Sequence, residues 1–274
     1  MSGTSAKWLS AIMLCVLCPL RAWAVPPPPV QVTANCESPT YASDQQVCQD
    51  SELLELDRVL GGLIALRNAT AAGSVTAESD EAWFRRSRMC AFEDDQRDCL
   101  LAAYCLRIAW LDRTGADLPP GCAVPEADYL PASSISASGF ARKAAADRLP
   151  QGADIRLWGY VDHGNLYGDD KAKNLLGNWW SGPGPDGASW RFNLKARAND
   201  PVGASFAVHV PSDLLRDDVL KLFRADAEAG RPTRVYLRGR VLSFDAPTNT
   251  GTLAGLRMEM RSSRDIRLAI AGLE

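Results

Sequence analysis

Histidine is nearly missing from this chain. His163 and His209 are the only two in 274 residues, and neither falls into ligand spacing with cysteine, which excludes the familiar zinc sites. No Gly-x-Ser-x-Gly elbow and no glycine-rich phosphate cradle is present, so the usual nucleophile and nucleotide signatures are absent too. Adjacent acids such as Asp169-Asp170 sit in a Gly/Asn-rich stretch that reads as a turn. The chain is therefore expected to be no enzyme and to hold no metal and no cofactor. It also lacks a strong positive charge: the formal net charge is −3, which argues against nucleic acid as a partner. Its one long apolar run, Trp8 to Leu20, is shorter than the roughly 20 residues a membrane span needs. No internal repeat is present, and no cysteine follows residue 122.

What the N-terminus does have is the three-part pattern of an export signal. Lys7 supplies a positive start, the apolar run follows, and Ala22-Trp23-Ala24 places small residues at the cleavage positions. Cleavage near Ala24 is expected, ahead of the proline run Pro26–Pro29. An uncleaved anchor is the alternative. The mature chain would then be periplasmic or secreted, with no membrane span. Cys15 and Cys18 would leave with the signal, and six cysteines would remain. In an oxidising compartment an even set of thiols reads as disulfides before it reads as ligands or nucleophiles.

The remaining residues divide unevenly. Residues 25–130 hold 17 acidic and 8 basic side chains, whereas residues 131–274 hold 16 acidic and 20 basic. Cysteine follows the same divide. We expect a signal over 1–24, a helical domain over 25–113, a linker rich in Pro, Gly, Ser and Ala over 114–152 with a short helix near Phe140–Leu149, and a second domain over 153–274.

In the first of these, Leu53, Leu56, Leu60, Leu63 and Ile64 recur at helical spacing, with Asp50 or Ser51 as cap and Gly73 as stop. A second helix fits Ala77–Cys90, acidic at its start and basic at its end, the order the helix dipole favours. A third fits Asp98–Arg113. So small an all-α bundle has little interior, and each disulfide typically adds about 2–4 kcal/mol. If the first two helices are antiparallel, Cys48 lies beside Cys90. Cys36 and Cys99 can then pair, and Cys105 and Cys122 remain for a third bridge. Six thiols admit many other connectivities.

Cys36, Val47-Cys48, Leu53-Leu54-Glu55-Leu56-Asp57, Trp83-Phe84-Arg85-Arg86-Ser87-Arg88-Met89-Cys90, Cys99-Leu100 and Tyr104-x-x-Arg107-Ile108-x-x-Leu111 stand in fixed order. This run, residues 36–111, resembles the LprI-like lysozyme-inhibitor domain family. The resemblance implies a secreted or periplasmic, disulfide-linked helical domain. Some members of that family are implicated in inhibiting lysozyme, and many have no assigned activity. The chain departs from the pattern by lacking a glutamine just before Trp83 and by carrying Cys105 and Cys122 in addition to the usual four.

Animal lysozymes are basic, so an acidic partner would be steered toward them. Glu93, Asp94 and Asp95 are the most concentrated acid and the candidate contact. Their other reading is a solvated loop that aids solubility. Asp112 and Asp117 are a second acidic pair, and Trp83 reads as core.

From Asp154 the period changes to two. Ile155, Leu157 and Val161 alternate, as do Trp190, Phe192 and Leu194, and then Phe206, Val208 and Val210. A helix fits Ser212–Ala229 with Gly230 as stop. Strands resume at Val235, Leu237, Gly239 and Val241, then at Leu256, Met258 and Met260, and at Ile266–Leu268. Three strands, a helix and two or three strands is the order of an OB-fold, a small barrel that binds ligands on two strands and two loops. Another α+β barrel or sandwich is the alternative. The long loop His163–Ala188 carries Tyr167, Trp179 and Trp180, which could stack a glycan or plug the barrel. Arg234, Arg238 and Arg240 read as a solvated face. Two functions follow: a lysozyme or cell-wall hydrolase inhibitor acting through the helical half, or an envelope module whose barrel half binds a glycan or a protein.

Overall fold

The computed structural model describes residues 31–70, 79–112, 119–134, 152–167, 189–201, 205–245 and 255–268. The expected signal, the helix near residues 140–149 and the tip of the loop carrying Trp179 and Trp180 lie outside them. The chain is a mixed α+β protein, and the residues from Gln31 onward form one compact unit.

Four helices open it: α1 (Ala42–Gln49), α2 (Ser51–Thr70), α3 (Asp80–Ser87) and α4 (Gln96–Leu111). The first of these was not expected from the sequence, since its apolar content is slight. Asp50 caps α2, its Oδ1 accepting from the Glu52 and Leu53 amides at 2.9 and 3.1 Å. Burial alone would raise the Asp50 carboxyl, but the Leu53 amide and the Arg97 guanidinium bring it below the usual range. Ser79 caps α3 by accepting from the Ala82 amide at 3.1 Å. The chain then tightens into a 3₁₀ turn, Arg88–Phe92, instead of continuing the helix to Cys90. Leu53, Leu56, Leu60 and Ile64 of α2 are buried, as are Trp83, Phe84 and every residue of α4 from Cys99 to Ala109, so α4 is enclosed on all sides.

All six cysteines after residue 24 are bonded, but not in the expected pattern. Cys36 joins Cys48, Cys90 joins Cys99, and Cys105 joins Cys122. Only the last pair matches. The expected Cys48–Cys90 and Cys36–Cys99 bridges are replaced by links between chain neighbours, for a local reason. Cys48 belongs to its own short helix, against which the preceding coil folds back with Cys36. Cys90 sits on the 3₁₀ turn that leads directly into the first turn of α4, where Cys99 lies.

The second half is a sheet closed on itself. Its strands are β1 (Leu130–Pro131), β2 (Asp154–Tyr167), β3 (Ser189–Lys195), β4 (Ser205–Pro211), β5 (Arg234–Asp245), β6 (Gly255–Met260) and β7 (Ile266–Leu268), with α5 (Arg216–Glu228) between β4 and β5. Antiparallel pairings join β2 to β3, β3 to β4, β5 to β6 and β2 to β5, and β4 runs parallel to β6. These five strands make a ring. β1 adds alongside β2 in parallel and β7 alongside β5. The alternating residues face inward as the period-two pattern requires: Leu157, Phe192, Leu194, Val208, Leu237 and Met258 are fully buried. Val219, Leu222 and Phe223 of α5 join them, and Phe223 meets Phe192 edge-on at 5.3 Å.

The halves share an interior. α4 packs against α5 and β7, and buried side chains of both halves form one continuous cluster. Arg86 pairs with Asp218 across this contact, and Arg264 reaches Asp95 at 3.4 Å. Within the stretch expected to be a linker, residues 126–134 run along the barrel: Leu130 pairs with Leu157 and Pro131 with Trp158.

Candidate binding surfaces

The acidic triplet Glu93, Asp94 and Asp95 connects the 3₁₀ turn to α4, so the Cys90–Cys99 bridge closes the loop that carries it. All three side chains are exposed. Asp94 and Asp95, with Gln46, Gln96, Arg97 and Asp98, line a shallow open depression. Arg97 does not neutralise Glu93 or Asp94: its Nε donates to Asp50 at 2.7 Å and its Nη2 to Glu52, which ties the start of α4 to that of α2. Asp112 ends α4, and Asp117 lies outside the described residues. Trp83 is core, packed edge-on to Tyr104 at 5.6 Å.

The expected aromatic platform cannot be placed in the same way. Trp179 and Trp180 lie outside the described residues, and of Tyr167 only the backbone is described, paired with Arg191 at the end of β2.

A different aromatic group occupies the outer face of β2 and β5. Period two sends Trp158 and Tyr160 outward from β2, and Arg234 and Tyr236 outward from β5; Trp158 sits opposite Tyr236, and Tyr160 opposite Arg234. The Arg234 guanidinium lies 4.1 Å from the Trp158 ring centroid, and its Nη2 donates to Glu126 at 2.6 Å. The Tyr236 hydroxyl donates to the other Glu126 oxygen at 3.1 Å, and Tyr129 packs edge-on against the Tyr236 ring. Burial pushes the Tyr236 phenol up to about 12, with the Glu126 carboxylate adding to the shift. Arg234 is thus half-buried and bound, a correction to the solvated stripe expected of Arg234, Arg238 and Arg240; only the latter two are exposed. The signal that could have found this group is the outward half of the alternation, Trp158-x-Tyr160 against Arg234-x-Tyr236.

Three buried polar groups also went unread in the sequence. Asp57 Oδ1 accepts from the Tyr104 hydroxyl at 2.7 Å and from the Ala34 amide at 3.0 Å. Its burial raises the Asp57 carboxyl, and burial together with the Asp57 charge holds the Tyr104 phenol well above its ordinary value. Asp80 accepts from Arg107 at 2.7 Å and pairs with Arg67, so one carboxylate binds α2, α3 and α4 together. In the barrel, Thr233 donates to the fully buried Asp226 at 2.7 Å, and His163 Nε2 lies 2.9 Å from the same hydroxyl. Burial lowers His163. This chain of contacts joins α5, the start of β5 and β2.

Among the described residues no three His, Cys, Asp or Glu side chains gather as a metal site, and no helix is long and apolar enough to cross a membrane. Comparison with family models, with curated proteins and with solved structures finds no match to this chain.

Proposed function

We propose that the chain is an exported, non-enzymatic binding protein that inhibits lysozyme or another cell-wall hydrolase through its helical half, as an LprI-like domain. The observation that carries this is the acidic loop: a disulfide closes it at both ends, its carboxylates point outward, Arg97 is bound to Asp50 and Glu52, and of the three acids Asp95 alone meets an arginine, Arg264, among the described residues. Three bonded cysteine pairs support an oxidising compartment outside the cytoplasm. Electrostatic steering toward a basic enzyme raises the association rate and weakens with salt. The test is lytic activity of a basic animal lysozyme titrated with the oxidised protein over a range of salt. Inhibition that is strongest at low ionic strength is expected. No binding at low salt overturns the proposal.

A second reading rests on the barrel. Five strands in the ring order described, with a helix between the third and fourth, support an OB-type barrel, and the Trp158–Arg234–Tyr236 group supports contact with a glycan or a protein partner. Binding of cell-wall glycan fragments that is lost in Trp158→Ala and kept in wild type would favour this reading over the first.

A further inference from the structure

Large apolar side chains left in water are informative when they gather. Among the described residues five are exposed: Tyr41, Leu66, Met89, Phe92 and Leu130. Three of the five belong to one place. Met89 is 49% exposed and Phe92 79% on the 3₁₀ turn, while Tyr41 at 40% has its ring 3.5 Å from the guanidinium of Arg88 on the same turn. Leaving a phenylalanine side chain in water forgoes the gain of burying it, so such a cluster is a cost to the free protein.

The turn is also held still. Cys90 is completely buried and bridged to Cys99, and Arg88 is clamped between the Tyr41 ring and the Phe84 ring, 4.4 Å from the latter. Such a segment loses little further freedom on binding, which is how a small loop gains affinity. Four carboxylates, Glu93, Asp94, Asp95 and Asp98, follow Phe92 directly. Neither Arg88 nor Arg97 is spent on Glu93 or Asp94: Arg88 serves the flanking rings and Gln31, and Arg97 serves Asp50 and Glu52 with Asp98 3.8 Å away. Asp95 meets Arg264 and Asp98 meets Arg97, but among the described residues no cation pairs with Glu93 or Asp94. An aromatic anchor bordered by those two carboxylates is complementary to a cationic protein surface with an apolar slot.

We infer that Arg88–Asp95 is a preformed docking loop, that Phe92 inserts into an apolar slot of a basic protein, and that Glu93 and Asp94 pair with cations on the slot's rim. This rests on the inhibitor reading above and names its contact site. The test uses the full oxidised chain and a basic animal lysozyme as probe, with affinity and association rate measured for wild type, Phe92→Ala, the double variant Glu93→Gln/Asp94→Asn, and Leu66→Ala on the distant α2 surface. Phe92→Ala is expected to weaken affinity by about 30-fold or more, mainly through faster dissociation. The double variant is expected to slow association and flatten its salt dependence, and Leu66→Ala to bind as wild type. Wild-type binding with Phe92→Ala within about twofold of it overturns the docking loop and leaves the inhibitor reading standing. Failure of the wild type itself to bind overturns both.

Discussion

Asp57 shows how much one residue can carry. Its Oδ1 is the shared acceptor for a side chain on α4 and for the coil before α1, so it joins three parts of the helical layer. Asp57→Ala would leave the Tyr104 hydroxyl and the Ala34 amide without an acceptor, and roughly 3 kcal/mol of stability should be lost. Asp57→Asn keeps an acceptor oxygen and should cost less. The pH dependence has a definite sign. Because burial raises the folded carboxyl above its unfolded value, the folded chain takes up this proton first as pH falls. Wild type therefore gains stability from this group between the raised folded value and the ordinary 3.8, a gain that the asparagine variant cannot share. Urea midpoints should show Asp57→Asn as more damaging at pH 4 than at pH 7; the reverse order would refute the assignment. None of this was legible in the sequence, where Asp57 is only a polar position on an apolar-striped helix.

At the scale of elements, legibility depended on periodicity. Leu53, Leu56, Leu60, Leu63 and Ile64 mark α2, the alternations at 155–161, 190–194 and 206–210 mark β2 to β4, and Leu215, Val219, Leu222 and Phe223 mark the helix that lines the barrel; all of these stripe residues are buried except Leu63, which is partly so. α1 was missed because Ala42–Gln49 buries Ser43 and Asp44 beside Val47, a mostly polar face with no apolar rhythm. Without α1 in view, nothing in the sequence brings Cys36 back to Cys48, the pair that the structure bonds. The pairing of β2 with β5 likewise has no local trace, since it joins segments separated by β3, β4 and α5. Gly159 marks a crowded point on β2: a Cβ there would lie 2.6 Å from the Lys195 carbonyl oxygen and 3.0 Å from the Ala132 Cβ. The carbonyl belongs to a paired strand and cannot give way cheaply. Gly159→Ala should cost about 2 kcal/mol or more, read as a drop in denaturation midpoint; an unchanged midpoint would mean that β2 can shift outward freely.

For the whole molecule, the composition break near residue 130 suggested two bodies, but charge and cysteine usage do not report packing. α4 and α5 share one interior, with Arg86 and Asp218 paired across it. Heat should therefore unfold the oxidised chain in a single calorimetric transition, and two resolved peaks would show separate cooperative units. The acidic loop was legible as a candidate because charge is written in the sequence. Its closure by Cys90–Cys99 and the exposure of Phe92 were not, since both depend on the turn that ends α3 early. The barrel's circular pairing has one more consequence. Each strand of the circle has neighbours on both flanks, and where β3 leaves β2, β1 takes its place. Among the described residues the strands left open on one flank are the added β1 and β7, only 2 and 3 residues long, which leaves little hem for a second molecule to stitch onto, so crowding at high concentration should drive contact through side chains rather than through backbone zippering into fibres.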